Sequence, residues 1–590
     1  MSLRLTMVLS QEPPSSSDIS ESWLRSHGNQ AAMAITLLGL LARVWTASGT
    51  FLNPDEALHF RLANQASLAV AYRESLTASH PPLLTFVLYL WRACSTSELW
   101  LRLPSVLAGA AFCWMFYKWL AATAGNLAGL IGLLFVAFLP PIVLLSAEVR
   151  QYALLLAFLA SALYFFEGAF TKKSPARMAA FSLFLYLAML SHYSALLFAA
   201  VLGIYALLRF ITARFPMSLM TVWAGGQLGA LALATFLYES HISKLGAGES
   251  RTALQGWMSE FFLRHSYFDS ARDNPLFFLV GHTFGVFQYF FGQLAVGDVM
   301  GLLFFVGVAM LPRRGRVKDQ AGSRGLGIFL LLSFAIAGGA SLAHFYPYGG
   351  TRHIAFLIIP GVAGVSVAIA SLTHLRWDRA VALAAFIVVV CIVFGKQRQP
   401  YMQRADQDRT HMKAAIDFLR QNMAGEGVIF TDYESDLILG HYLCRQRPIA
   451  FETSIPDFEV FSCDGVRVVS ASYKAATLFE ANSFLSLWNR LVETYHLKAG
   501  DSVWVFQAGW KADLPENLQS HYAVFDKLRV ESFGSNIKVF NLTVGQPMPA
   551  IASPARNHFP AWRVSPNARR VASSGTLRPS FFETTPKLPE

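Results

Sequence analysis

The chain has 590 residues, of which 54% are hydrophobic and 14% charged, with a mean hydropathy of +0.40 and a formal net charge of +11. A soluble protein of this size carries roughly 25% charged residues, so the composition excludes an ordinary soluble globule and points to a polytopic membrane protein. The basic excess suits cytoplasmic loops facing anionic headgroups, so no nucleic-acid partner is invoked.

Residues 1–30 are charged and Ser-rich, lack the short apolar core and cleavage site of a signal peptide, and read as a cytoplasmic tail. Apolar runs such as Ala31–Val44, Asn126–Ala147 and Ala380–Phe394 approach or reach the ~20 residues that cross a bilayer. Basic clusters set the sidedness: Lys172, Lys173 and Arg177; Arg209 and Arg214; Arg313, Arg314, Arg316, Lys318 and Arg324; Arg376 and Arg379. Placing all four in the cytoplasm, with an inside N-terminus, requires about eleven spans within 31–396. These run over 31–50, 103–121, 126–147, 152–170, 177–191, 193–212, 217–238, 294–311, 326–345, 354–372 and 380–396. Two apolar stretches, Pro81–Cys94 and Pro275–Gln293, are left out of the count and expected as amphipathic helices at the outer interface. The outer loops are then 51–102 and 239–293.

After Phe394 the composition turns polar. Thr410–Met423 and Ser483–Tyr495 are helix-like, whereas Val428–Phe430, Val466–Val469 and Val503–Phe506 are short β-type runs. Residues 397–545 are therefore expected as a small extracytoplasmic α/β domain, and 546–590, Pro-rich and basic, as a disordered tail. Of the five cysteines, Cys94, Cys113 and Cys391 lie in or beside apolar segments. Cys444 and Cys463 fall in the region placed outside, where disulfides form, and their pairing is left open.

The costly polar groups of this topology emerge on one membrane face. Asp55 and Glu56 open the first outer loop, and an acidic side chain there suits a base taking a proton from an acceptor. Glu148 and Arg150 lie in the very short junction before Tyr152; such a pair is expensive at the membrane boundary unless paired or used. The Arg150 fork suits a phosphate. His192 and Tyr193 form a second tight junction. Arg352 and His353 follow the Gly-rich Tyr348–Thr351 and suit an anion at a helix N-terminus. His80 and Arg102 are supporting candidates. Taken singly, each has a plainer alternative: solvated loop acids, a structural Glu–Arg pair, a satisfied core histidine, a snorkelling arginine. Together they describe acids facing cations at the outer lipid interface, an arrangement suited to deprotonating an acceptor beside a phosphate leaving group.

In order and spacing these motifs resemble the membrane glycosyltransferases of the C-type fold. More narrowly they resemble bacterial glycosyltransferase family 39, the dolichyl-phosphate-mannose-protein mannosyltransferase-like enzymes. The likeness rests on Asp55-Glu56, His80-Pro81-Pro82, Leu101–Ser105, Ser146–Leu154, Ser191–Tyr193 and Thr351–His353, over roughly residues 31–400. The resemblance implies a C-type fold and inverting transfer of a sugar from a polyprenyl-phosphate donor to a lipid, glycan or protein acceptor. It places this activity on the outer face of the bacterial cytoplasmic membrane. It makes Asp55 the general base, with Glu56 beside it, and sets Arg150 and Arg352, with His353 and His192, on the donor phosphate. His80, Glu148, Tyr152, Tyr193 and Arg102 support them. Some relatives hold a divalent cation beside the acidic pair, which leaves Asp55 and Glu56 as metal-ligand candidates. A transporter or lipid flippase also places charges in the membrane, but near the midplane and often with inverted repeats, and none is evident here. A surface-polysaccharide ligase or polymerase shares the donor and is expected to carry other loop motifs.

Overall fold

The computed structural model describes residues 16–245, 263, 265–314, 322–372, 377–395, 407–423, 427–444, 448–449, 451–452, 457–463, 465–473, 475–515 and 525–545. The helices of the first half are α1 (Ser16–Ser48), α2 (Pro54–Ala63), α3 (Leu68–Ser75), α4 (Leu83–Trp91), α5 (Glu98–Ala124), α6 (Asn126–Phe138) and α7 (Pro140–Ala147). They continue with α8 (Tyr152–Lys172), α9 (Pro175–Ser191), α10 (Ser194–Thr212), α11 (Met217–Leu237), α12 (Pro275–Phe291), α13 (Leu294–Arg314) and α14 (Gly322–Leu342). A 3-10 turn, Arg352–Leu357, leads into α15 (Ile358–Leu372), followed by α16 (Trp377–Phe394).

Among the described residues nine helices are long and apolar enough to cross a membrane: α1 from Ser26, α5, α8, α10, α11 with its extension to Ile242, α13, α14, α15 with its 3-10 turn, and α16. Two of the expected spans differ from the sequence reading. The stretch 126–147 is not straight: α6 and α7 meet at a 60° bend, because Pro140 and Pro141 have no N–H with which to continue α6. The stretch 177–191 is α9, a shorter apolar helix of 17 residues. The count of eleven is reached only if the bent pair and α9 are included. Neither stretch omitted from the count is among the nine. Pro81–Cys94 folds as the nine-residue α4. In α12, Phe278, Phe287, Phe290 and Phe291 are buried while Leu276 and Phe277 are exposed, an amphipathic helix laid against α13. α1 starts within the stretch read as a tail. The 546–590 tail and the basic residues Arg316, Lys318 and Arg376 lie outside the described residues.

The polar C-terminal region contains α17 (Arg409–Asn422), β1 (Val428–Thr431), α18 (Tyr433–Leu443), β2 (Phe458–Cys463), β3 (Val466–Ala471), α19 (Ala481–Thr494), β4 (Ser502–Ala508), β5 (Phe525–Ser532) and β6 (Ile537–Val544). One six-stranded sheet runs β2-β3-β1-β4-β6-β5. β1 pairs in parallel with β3 and β4, and the outer pairs are antiparallel. Phe484, Trp488 and Leu491 of α19 pack with Phe430, Val469, Val505 and Phe540 on one face. The other face, with Val468, Phe506 and Val539, joins Met412, Ile416 and Leu419 of α17 and Ile438 of α18 in a core continuous with the helical bundle.

The sheet domain is tied to the end of the bundle that carries α2. Leu52 N–H donates to the Tyr442 hydroxyl at 3.0 Å, and that hydroxyl donates to Glu98 at 3.1 Å. Arg61 of α2 pairs with Asp436 of α18 at 3.0 Å. α2 and α18 thus share an interface, which makes α18 part of the support for whatever α2 presents.

Cys444 and Cys463 are joined by a disulfide, which links the end of α18 to the end of β2. Closing a loop of that length stabilises by about 2–4 kcal/mol. Thermal unfolding of the full chain with and without reductant, and of Cys444→Ala/Cys463→Ala, should show that loss. An unchanged midpoint on reduction would mean the two thiols are not paired.

Candidate active site

The site begins with the local chemistry of α2. Asn53 caps the helix: its side chain accepts from the Glu56 N–H at 3.0 Å, while the Glu56 carboxylate accepts from the Asn53 N–H at 3.0 Å. This reciprocal box fixes the helix start. Pro54 occupies the first turn, where its missing N–H costs nothing. The box leaves Asp55 and Glu56, adjacent in sequence, about 100° apart around the helix, and the two acids meet different partners.

Glu56 is fully buried. Arg102 of α5 donates to both its oxygens, Nε to Oε1 at 2.7 Å and Nη2 to Oε2 at 2.6 Å. The Val149 N–H adds a bond of 2.8 Å to Oε1. Arg102 spends its remaining donors on the carbonyls of Ala47, Thr50 and Phe51, each at 2.8 Å. Every hydrogen-bonding group of this pair is therefore used, which is what a buried ion pair needs to be tolerated. Glu56 is expected from the sequence beside the base and Arg102 as a supporting cation; the geometry buries both and pairs them with each other.

Asp55 is left partly open, its side chain 27% exposed. It sits between two guanidiniums. Arg150, from the α7–α8 junction, is in contact with Oδ2, and Arg352, from the 3-10 turn heading α15, reaches the same oxygen at 3.0 Å. Arg150 is held by its backbone, whose carbonyl accepts from Ser105 of α5 at 2.9 Å. Glu148 stands 3.9 Å from Arg150 Nε. Burial first and the nearby Glu56 charge second raise Glu148 to about 7, against the pull of Arg352 and Arg102.

A column of imidazoles flanks this centre. The rings of His59 and His80 are 5.8 Å apart, those of His80 and His192 5.4 Å, and Tyr152 lies 5.1 Å from His192. His192 Nδ1 bonds the Ser194 hydroxyl at 2.8 Å. Burial, then Arg352, brings His59 down to about 4. Burial, then His192, His59, His353 and Arg352, holds His80 well below the usual imidazole range. The column is therefore neutral at physiological pH, so it offers hydrogen bonds without adding to the charge. His353 is close enough to act on His80 electrostatically, and its carbonyl accepts from Tyr346 at 2.9 Å.

Asp55, Glu56, His80, Arg102, Glu148, Arg150, Tyr152, His192, Arg352 and His353 thus converge. Tyr193 sits at the same junction, its hydroxyl bonded to His241 Nδ1 at 2.8 Å. His241 and His59 were missed. His241 lies in a π-helical turn, Tyr238–Ile242, a local irregularity without a sequence signature. His59 had one: it follows Asp55 by four residues, one turn along the same face. The Asn53-x-x-Glu56 spacing also announced the capping box that separates the two acids. Beside Thr351 opens a cavity of about 750 Å³, lined by His265, Phe278, His282, Gln288, Tyr289 and Gly350 among others.

A divalent cation between the acids does not fit this donor set. Asp55 faces Arg150 and Arg352, Glu56 is consumed by Arg102, and among the described residues no three His, Cys, Asp or Glu side chains are grouped as metal ligands. The two guanidiniums supply the positive charge at Asp55.

Residues 79–238 match the family model of dolichyl-phosphate-mannose-protein mannosyltransferases. The matched stretch contains His80, Arg102, Glu148, Arg150, Tyr152, His192 and Tyr193, so the resemblance drawn from those motifs holds there. No curated protein matches the chain. Among solved structures it is similar to ArnT from Cupriavidus metallidurans, bound to undecaprenyl phosphate (TM-score 0.49, 14% identity, 86% of this chain and 97% of that one). The apo state of the same protein gives a TM-score of 0.49 at 12% identity, with the same coverage. The Archaeoglobus fulgidus oligosaccharyltransferase AglB, in complex with an inhibitory peptide and a dolichol-phosphate, gives 0.43 at 11% identity, covering 82% of this chain and 70% of that one.

Two outcomes follow from the geometry. Glu56→Gln leaves Arg102 buried without its counter-charge, and the expected loss is about 3–5 kcal/mol of stability. It should show as poor yield or a lowered unfolding midpoint, partly restored by adding Arg102→Met. A stable Glu56→Gln protein with lost turnover would instead return Glu56 to the chemistry. Second, Glu148 is neutral below its value of about 7 and ionised above it. Its negative charge beside Arg150 then opposes a bound phosphate. The apparent donor KM should rise between about pH 6 and about pH 8, and Glu148→Gln should hold it flat at the lower value. A wild-type KM independent of pH over that range would contradict this.

Proposed function

We propose that the chain is an inverting glycosyltransferase that moves a sugar from a polyprenyl-phosphate donor to a cell-envelope acceptor at the outer face of the bacterial cytoplasmic membrane. The observation that carries this reading is Asp55 set between Arg150 and Arg352 at the head of a membrane bundle. The family matched by residues 79–238 is named for a dolichyl-phosphate sugar donor, in keeping with a lipid-borne phosphate at this depth.

In this mechanism the donor phosphate takes forks of Arg150 and Arg352, which present planar, paired donors to its oxygens. Competition for those forks frees Asp55 oxygens to accept a proton. The acceptor hydroxyl or amine, deprotonated by Asp55, attacks the anomeric carbon. The sugar–phosphate bond breaks as the new glycosidic bond forms, and the charge developing on the leaving phosphate falls on the two guanidiniums. The neutral His59–His80–His192 column provides hydrogen-bonding groups for the sugar without attracting a second anion. The lipid would take the cavity beside Thr351, whose lining includes the exposed Phe277 of α12. The sheet domain, through α18 on α2, holds the base in place.

Asp55→Asn keeps volume and removes basicity. Turnover should fall ~10²–10⁴-fold with donor binding retained, since that is the usual yield of general-base catalysis. Near-normal turnover at saturating donor and acceptor would remove Asp55 from this role. For the sidedness, a reporter active only outside the cytoplasm should be active when fused after Gly545 and silent when fused after Arg314. The opposite pattern would place the site on the cytoplasmic face.

A further inference from the structure

Arg43 is a cation inside a membrane span. It lies in α1, within the crossing segment Ser26–Ser48, and is fully buried. Such a residue is costly in a bilayer unless its charge and donors are answered. Its two terminal nitrogens meet backbone carbonyls: Nη1 donates to Gly39 at 3.0 Å and to Ala137 at 2.9 Å, and Nη2 to Val136 at 2.8 Å.

The identity of the two distant carbonyls is the informative point. In an α-helix the carbonyl of Val136 accepts from the N–H of residue 140, and that of Ala137 from residue 141. Here those residues are Pro140 and Pro141, which have no N–H. Arg43 therefore supplies the two hydrogen bonds that the proline pair removes, one from each arm of its fork. Its charge sits at the C-terminal, negative end of α6. The surroundings are shaped around it: a Cβ on Gly109 would come within 2.7 Å of Arg43 Nε and 2.5 Å of the Ser146 Cβ.

The capped break is where the chain turns by 60° into α7, and α7 ends directly at Glu148, Val149 and Arg150. Arg150 is placed by that turn, by the Val149 bond to Glu56 and by the Ser105 bond to its own carbonyl. We propose that Arg43 is a positioning residue for the donor-phosphate site: by capping the carbonyls that Pro140 and Pro141 orphan, it holds the bend that sets Arg150 against Asp55. The inference rests on the reading of Arg150 as a phosphate ligand, and the experiment separates the two.

Three variants of the full chain in lipid nanodiscs decide it, with undecaprenyl phosphate as the probe and the unfolding midpoint as a second readout. Arg43→Met should lower the midpoint and weaken binding by about ten-fold or more, since small displacements of a positioning group are expensive. Arg43→Lys, which still brings donors to the carbonyls, should stay within a few-fold of wild type in both. Arg43→Met/Pro140→Ala/Pro141→Ala returns N–H groups to positions 140 and 141. It should recover most of the lost midpoint while binding stays weak, because α6 then continues straight. Wild-type binding in either Met-bearing variant overturns the positioning role, and so does a triple variant no more stable than Arg43→Met. If Arg43→Met does not fold, Arg43→Lys against the triple variant makes the same comparison. Failure of the wild type itself to bind undecaprenyl phosphate would sink the polyprenyl-phosphate reading, whereas the midpoints would still report on the cap.

Discussion

The buried pair of Glu56 and Arg102 is the interaction on which the site depends. One carboxylate and one guanidinium between them engage the end of α1, the start of α2, the second turn of α5 and the junction between α7 and α8. Three parts of the chain far apart in sequence, residues 47–56, Arg102 and Val149, are thereby locked at one point. Removing either charge leaves the other buried and unanswered, so the arrangement is held in an all-or-none manner. The adjacent Asp55 inherits its position from this lock, without taking part in it.

Neighbouring acids with opposite fates illustrate how one short helix divides labour. The capping box turns Glu56 back onto the backbone and into the bundle, and the helical advance of one residue turns Asp55 toward Arg150 and Arg352. Four arginines within this small region answer three different needs. Arg102 neutralises a buried acid, Arg150 and Arg352 flank an open one, and below them Arg43 answers carbonyls deprived of donors by prolines. The Arg102 guanidinium is fully engaged through its fork, which is why lysine would be a poor replacement there.

The sheet domain is tied into the same framework. The face of its sheet opposite α19 shares a core with the bundle, and Arg61, Tyr442 and Glu98 bridge the two. The helix that makes this interface, α18, was not identified from the sequence. Its Tyr433–Leu443 segment carries Glu434, Asp436 and His441, all buried. Buried polar residues on several faces erase the apolar stripe by which a helix is usually recognised. By contrast α17 and α19, with ordinary amphipathic periodicity, and β1, β3 and β4, with short apolar runs, were legible.

Composition and periodicity by themselves determined that this is a membrane protein, where its long apolar helices run, and that a polar α/β region follows them, because these depend on residue type and local spacing alone. The motif order also marked the junctions from which Asp55, His80, Arg150, His192 and Arg352 come. Only the tertiary structure decided which charge meets which. Ion pairs over separations such as Glu56 to Arg102 or Asp55 to Arg352 are properties of how helices pack, and a local pattern carries no record of them. The same holds for the stretch 126–147, read from the sequence as one span: it breaks at Pro140 and Pro141, and that the missing bonds are supplied by an arginine 93 or 94 residues away follows only from α1 lying against α6.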